Sequence, residues 1–464
     1  MSVAFLLAFT AFAADDWGQF RGPNGSGLAG GAGYPVDFSP TKNVVWKAAI
    51  PYGQSSPVIA GGRLYVTASE PGLLLTIALD AKTGKQLWRR EIKQQQFARI
   101  YKANDPASPT PVADADGVVA FFPDFGLAAY DANGKDRWTL PLGPFQNFYG
   151  MASSPILAGD KVILVCDQNS KSFVIALDRK TGKQRWKTDR TGANMGWATP
   201  AVFRPSQGQA QLIVMGSTRV DGYYLETGES RWWMPVATSG SQGTPVVQGD
   251  KVLISTNGTG EAWMPTFASQ LPILDKDHDG RISPVEFEAD KSMGDQFGAF
   301  DVDGDKYVTA KEWNEIRNMG IGDGGAFAVD ADRAMGRLEP KSVAWRHKKN
   351  LPDIPAPLVY GNVFYLIRDG AIITSLNPDN GMVLKAGRNK DAIGEYRASP
   401  VAADGKIYLA NTEGKITVLK AGGAWEVLAT NDLAEEVHAT PALSEGRVFV
   451  RTRGAMYCFG YHAR

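Results

Sequence analysis

Cysteine is nearly missing from this 464-residue chain, and the two present, Cys166 and Cys458, exclude a disulfide-stapled scaffold and the cysteine-rich zinc modules. They sit in separate strand-like runs, VILVCD and AMYCFG, and read as buried thiols. Histidine is equally scarce. His278, His347, His438 and His462 show no metal-ligand spacing, and no Ser-His-Asp or nucleophile-elbow arrangement accompanies them. Net charge is also lacking, since 49 Lys+Arg balance 49 Asp+Glu, so the electrostatic footprint of a nucleic-acid binder is absent. No apolar run reaches the ~20 residues of a transmembrane helix. The N-terminal run MSVAFLLAFTAFAA is shorter and ends in small residues, which predicts a signal peptide over residues 1–13, although no Lys or Arg precedes it. No cysteine follows it to accept a lipid. The expectation is an exported protein, periplasmic or secreted.

What the chain does have is Gly, Pro and Trp, at 51, 27 and 12 residues, and they recur in a fixed phrase. A small residue or Ser/Thr precedes Pro; an apolar strand, a Gly-containing turn and a second strand follow, and the phrase ends on LD-x-x-TG-x-x-x-W. The prolines are Pro57, Pro111, Pro155, Pro200, Pro245, Pro357, Pro400 and Pro441, spaced 41 to 54 residues apart except for one interval of 112. The matching endings are LDAKTGKQLW to Trp88, YDANGKDRW to Trp138, LDRKTGKQRW to Trp186 and LETGESRW to Trp232, with Trp345 after the long interval. About four short alternating strands per unit specify a propeller blade, so eight phrases predict an all-β, eight-bladed β-propeller. The last unit runs out of chain before its Trp-bearing fourth strand, and NVVWKAAI around Trp46 supplies one at the other end. The ring is therefore expected to close by pairing N- and C-terminal strands. Gly84, Gly134, Gly182 and Gly228 give the outer turns their positive φ, and each Trp is placed to pack on the adjoining blade.

The LDAKTGKQLW phrase and its repeats resemble the tryptophan-docking motif of the pyrroloquinoline-quinone-type propellers, over nearly everything from Trp17 to Tyr461 outside one insertion. That resemblance implies one of two classes. Quinoprotein dehydrogenases carry the quinone and a calcium ion at the propeller's centre. The other class is non-catalytic, like the propeller subunit of the outer-membrane β-barrel assembly machinery, and WGQFRGPNGSG from Trp17 resembles the opening segment of exported propellers of this kind.

The long interval holds the clearest chemistry. DKDHDGRISPVE places Asp275, Asp277, Asp279, Arg281, Ser283 and Glu286 at positions 1, 3, 5, 7, 9 and 12 of an EF-hand loop, with Gly280 at position 6. Such a loop gives hard oxygen ligands: carboxylates at 1, 3 and 5, the position-7 carbonyl, Ser283 through water and a bidentate Glu286. DVDGDKYVTAKE repeats the pattern with Asp301, Asp303, Asp305, Tyr307, Thr309 and Glu312. Lys306 stands there where glycine belongs, at a cost of roughly 1 kcal/mol, so the second site is expected to be the weaker. Ile282 and Val308, at position 8, are placed to form a bridge between the loops. Residues 271–320 carry 12 acidic and 6 basic side chains, so the neutral total hides an acidic insertion on a mildly basic ring.

The predicted organisation is a signal peptide at 1–13, propeller at 14–264, a small α-helical EF-hand pair at 265–324 and propeller again at 325–464. Two Ca²⁺ are the expected cofactors, in a structural rather than regulatory role. Pyrroloquinoline quinone is not favoured: the adjacent Cys-Cys pair implied by the dehydrogenase resemblance is absent. Asn194, Trp197, Arg219, Asp221, Arg397 and His438 stand where they could reach the axis, and none is assigned to catalysis. The favoured function is an exported, non-catalytic, monomeric scaffold for an envelope protein or surface polymer. A quinone-dependent oxidoreductase is the alternative, and a carbohydrate-binding module using Trp233, Trp263 and Tyr149 is a third reading.

Overall fold

The computed structural model describes residues 16–461, except 95–103, 148, 170, 194, 239–242, 259–261, 263, 289–296, 302–303, 319–320 and 322–323. The expected signal peptide lies outside the described residues. Eight antiparallel sheets follow one another around an axis. Blade 1 is typical: Val58–Ala60 innermost, then Arg63–Glu70, Leu73–Asp80 and Gln86–Lys93 outermost. Its second and third strands are almost wholly buried because both faces are covered by neighbouring blades, whereas the outermost alternates with solvent. The blades beginning at Val112, Ile156, Ala201, Val246, Leu358 and Val401 repeat this plan. In the eighth sheet Ala442–Ser444, Arg447–Arg451 and Ala455–Phe459 are joined by Val44–Ala49, antiparallel to the last of them.

At four successive junctions neighbouring blades are joined at the perimeter by an indole on a glycine. Trp46 Nε1 donates to Ala81 O at 3.0 Å, Trp88 to Ala132 O at 3.0 Å, Trp138 to Arg179 O at 3.0 Å and Trp186 to Leu225 O at 3.2 Å. Each ring lies on the turn glycine of the next blade. At Gly84 a Cβ would stand 2.5 Å from Cε3 of Trp46, and its φ is +73°. Glycine is thus required twice over, for the turn and for the indole's approach. Blade 4 departs from the pattern: Trp232 donates to Gln211 Oε1 at 2.8 Å, and Gln211 passes the bond on to Ala331 O at 3.0 Å. Here the fifth blade's turn is longer, and Gly336–Arg337 crosses over to pair parallel with blade 4.

A second ring runs around the axis. The residues before the blade prolines are Ser56, Thr110, Ser154, Thr199, Thr244, Ala356, Ser399 and Thr440. Backbone N–H groups donate to the next blade's hydroxyl from Ser56 to Thr110 (3.0 Å), Thr110 to Ser154 (3.0 Å), Ser154 to Thr199 (3.2 Å), Ala356 to Ser399 (3.0 Å), Ser399 to Thr440 (2.9 Å) and Thr440 to Ser56 (3.0 Å). A proline after each hydroxyl removes a competing N–H and fixes the local φ. Ala356 has no hydroxyl and the Thr244 hydroxyl has no partner, so the chain of bonds is interrupted from Thr199 to Ala356.

Residues 17–29 form a plug across one end of the axis, bonded to blade after blade. Trp17 pairs with Ile59 (2.8 and 2.9 Å), Gly18 O accepts from Ala113 (2.7 Å), and Gln19 Oε1 accepts from Leu157 N (3.3 Å). Asn24 bonds Val202 in both directions (2.8 and 2.9 Å), while Gly27 O accepts from Ala402 N at 2.7 Å. The glycine-rich WGQFRGPNGSG phrase follows from this crowding: a Cβ on Gly18 would lie 2.4 Å from Ala113 O.

We predict that Gly84→Ala, which both strains the turn and displaces Trp46, costs about 2–4 kcal/mol of stability. Chemical denaturation should show the midpoint falling, and an unchanged midpoint would remove the docking argument.

Candidate metal centre and axial pocket

Between the second and third strands of blade 5 the chain leaves the ring and forms four short helices among the described residues: α1 (Phe267–Leu274), α2 (Pro284–Glu288), α3 (Phe297–Phe300) and α4 (Ala310–Asn318). Thr266 caps α1 by accepting from Ser269 N. Asp275 ends that helix and turns its carboxylate into the following loop, where it accepts from Asp279 N at 3.2 Å and Gly280 N at 2.9 Å. Gly280 has φ +82°, which makes the sharp turn.

Glu286 faces Asp275 across the loop. Its Oε1 accepts from Lys276 N at 2.7 Å, and its Oε2 accepts from Ser283 N and Oγ at 2.8 and 2.7 Å. These bonds, the Ser283 hydroxyl foremost, hold the carboxyl well below the usual range, at about 2. Ligand atoms of Asp275, Asp277 and Glu286 lie within 4.8 Å of one another, close enough to share one cation. Asp279 behaves differently from its neighbours: its carboxylate is engaged by Arg281, through the backbone N–H at 2.8 Å and the guanidinium at 2.9 Å.

The second loop repeats the first. Asp301 accepts from Gly304 N at 2.8 Å and Lys306 N at 3.2 Å, and partial burial pushes its carboxyl up. Glu312 accepts from Thr309 N and Oγ1 at 2.8 and 2.7 Å, as Glu286 does from Ser283. Asp305 accepts from Tyr307 N at 2.8 Å, and Asp303 lies outside the described residues. Lys306 takes φ +72°, so the glycine conformation is kept by a residue with a Cβ. The loops join where position 8 predicts, Ile282 and Val308 exchanging bonds of 3.0 and 2.8 Å. The Arg281 guanidinium lies over the Tyr307 ring, 3.7 Å from its centroid, tying the two position-7 residues together.

Beneath the loops, Phe267, Leu274, Phe287, Phe300, Trp313 and Ile316 form an apolar core that extends onto Met195 and Trp197 of the propeller. Trp197 has a second neighbour. It also lines a cavity of about 310 Å³ at the axial mouth, with Gln54, Asn104, Tyr149, Asp353, Glu395, Arg397 and His438, floored by hydroxyls of the inner ring. Its Nε1 is held by Asn147 Oδ1 at 3.0 Å and Gly150 O at 2.9 Å. Arg397 forks onto Glu395 at 2.9 and 3.2 Å, and burial, with Arg397 nearby, pulls His438 below its ordinary value.

Of the axial candidates, Trp197, Arg397 and His438 line this pocket, and Asn194 lies outside the described residues. Arg219 and Asp221 do not line it. They belong to a buried ion network between blades 3 and 4, where Arg190 forks onto Asp167 (2.6 and 3.0 Å) and reaches Asp221 (2.9 Å), and Arg219 closes the set on Asp221. Arg190, Asp167 and Asp221 have no exposed side-chain surface. Two guanidinium and two carboxylate charges cancel locally, and the cost of burying them is met by mutual bonding. Asp167 and Arg190 escape sequence reading because nothing marks as partners two residues in a strand-end loop and beyond the next outer strand. Trp263 also lies outside the described residues. Trp233 stacks under Arg219 and Arg337, at 4.4 and 5.5 Å, rather than standing open to a ligand.

With this geometry in hand, the chain can be set beside known proteins. The family model described as outer membrane protein assembly factor BamB matches residues 36–147, 146–270 and 291–460. The chain belongs to that family. It is 23% identical over 389 residues to the outer membrane protein assembly factor BamB of Burkholderia pseudomallei, covering 82% of this chain and 89% of the relative. Among solved structures, BamB from Moraxella catarrhalis superposes with a TM-score of 0.55 at 13% identity, over 91% of this chain and 98% of that one. A europium-containing methanol dehydrogenase gives 0.60 at 10% identity over 97% and 98%. Both solved structures speak to the fold, which BamB relatives share with a dehydrogenase, and not to the chemistry.

Arg190→Leu is expected to strand the buried carboxylate of Asp167, while Asp221 keeps Arg219, and to cost about 3–5 kcal/mol. A thermal or denaturant transition indistinguishable from wild type would show that the network is not held by charge.

Proposed function

We propose that this chain is an exported, non-catalytic scaffold of the BamB type that carries two calcium ions in an EF-hand pair spanning residues 265–324. The observation that supports the calcium reading best is the paired-loop geometry: Asp275, Asp277 and Glu286 gathered around one turn and bridged through Ile282 and Val308 to a second loop of the same form. The donor set fits the ion. Carboxylate oxygens, the backbone carbonyls of Arg281 and Tyr307 and a glutamate able to bind through both oxygens are hard ligands of the kind calcium takes. Asp279, Ser283, Asp301, Asp303, Asp305, Thr309 and Glu312 complete the two sets. Bound calcium would offset the acidic charge of the insertion and fix its loops, leaving the aromatic core to anchor them on the propeller. No helix among the described residues is long and apolar enough to cross a membrane. The partner we infer is an envelope protein, with a surface polymer as the alternative, and the site of action is the periplasm or the exterior.

The quinone reading fits poorly. A polycarboxylate quinone needs a cationic cradle, whereas the axial pocket sets Asp353 and Glu395 around Arg397, whose guanidinium is already forked onto Glu395. Among the described residues, the carboxylates close enough to share a cation are in the insertion and not at the axis.

Calorimetric titration of Ca²⁺ into wild type and the Glu286→Ala, Glu312→Ala double variant tests the first point. The variant should bind at least about tenfold more weakly, and equal heats would sink the assignment. Mixing the protein with pyrroloquinoline quinone and Ca²⁺ should produce no bound-quinone absorbance and no dye reduction; dye reduction would establish the dehydrogenase instead. For the scaffold role, capture from solubilised envelope should enrich an outer-membrane assembly component, and its absence would count against the BamB-type reading.

A further inference from the structure

The inner ring of hydroxyls has bonding capacity that the propeller does not use. Ser56, Thr110, Ser154, Thr199, Ser399 and Thr440 each accept one backbone N–H from the preceding blade. Among the described residues, no acceptor takes their own protons. A hydroxyl that accepts a bond is a better donor for it, and all of these residues line the axial cavity of about 310 Å³.

The rest of the lining adds two further kinds of group. Phe20 of the plug lines the cavity and is half-buried, while Tyr149 is 39% exposed and sets its ring edge-on to Trp197 at 5.4 Å. Carboxylates complete the wall. Asp353 lies in the segment leading into Ala356, where the circle of hydroxyls is broken, and Glu395 is forked by Arg397. Each simple ligand class fails one part of this lining. An anion meets two carboxylates with Arg397 alone to offset them, because burial and Arg397 hold His438 below its ordinary value. A small cation brings no acceptor atoms for the hydroxyl protons, and an apolar ligand leaves every one of them unpaired. A neutral ring with oxygens around its edge satisfies all three kinds of group. Its oxygens accept from the hydroxyls, its own hydroxyls donate to the carboxylates, and its C–H faces suit the aromatic rings. The volume, equal to roughly ten waters at ~30 Å³ each, admits one such ring.

We propose that the axial cavity binds one uncharged pyranose ring, held within the broken circle of hydroxyl donors with Tyr149 against it. The site is separate from the acidic loops, and its occupancy does not depend on whether they take calcium or on which protein is the scaffold's partner. Tyr149 stands at an open mouth, so the ring is either a free sugar or the end of a glycan whose remainder leaves the cavity.

Saturation-transfer NMR on the full chain, with glucose, N-acetylglucosamine, cellobiose and chitobiose as probes, reads the binding directly. At least one should bind with a dissociation constant of millimolar order or tighter, and sorbitol, which carries its hydroxyls on an open chain, should bind more weakly. A disaccharide at least as tight as its monosaccharide assigns the site to the end of a glycan; a monosaccharide without its disaccharide assigns it to a free sugar. Tyr149→Ala removes an exposed ring that the fold does not need and should weaken binding about threefold to tenfold. Crystals of the wild-type protein soaked in the tightest probe should show it in the axial cavity. The proposal is overturned by no transfer to any of the four sugars, by sorbitol binding equally well, by undiminished binding in Tyr149→Ala, or by sugar found elsewhere on the protein with the cavity holding only water.

Discussion

The contact on which the ring depends is the indole lying on a neighbour's turn glycine. A blade of four strands has two apolar faces and cannot bury either alone, so its stability resides in what it shares with the blades beside it. The glycine lets the indole approach the backbone, and the indole N–H satisfies a carbonyl that the turn would otherwise leave unpaired. Because the same pair recurs at a fixed offset from Trp46 to Trp186 and again at Trp345, those junctions have nearly the same geometry, and the repetition favours a closed ring. Gln211 shows how strict the requirement is. Where the fifth blade's turn is lengthened, a side-chain amide is interposed to carry the bond from Trp232 to Ala331.

This explains which parts of the molecule could be read from the chain. Pro, TG and Trp are local signals repeated in phase, so blade number and the site of the insertion follow from spacing. The meeting of the two acidic loops was legible for the same reason: a twelve-residue spacing is a local code, and Ile282 and Val308 meet where it puts them. Other features depend on residues about 45 positions apart with no shared motif. The hydroxyl ring was visible only as a tendency for Ser or Thr before Pro, and the pairing of Arg190 with Asp167 and Asp221 not at all. Asp279 is a smaller case, where a residue assigned to a cation by position is bonded to Arg281 two places on.

Trp197 relates the two halves of the molecule. One side of its environment is the apolar core beneath the acidic loops and the other is the axial pocket, so the insertion is built into the propeller's mouth rather than tethered to it. A ligand on one side that alters affinity for a second on the other is itself altered by the same free energy. The neutral charge of the whole chain conceals this asymmetry, since the acidic surface is concentrated in the insertion.

The sheet shared by Val44–Ala49 and Ala455–Phe459 has a consequence for biosynthesis. Until the ribosome has made the final strands, the earliest one has no edge to pair with, and seven blades remain an open arc with exposed hydrogen-bonding groups at each end. The slowest contacts to form are those between residues more than 400 positions apart, and completion waits for them. Resistance of the closing sheet to proteases therefore arrives only when the last strands are in place.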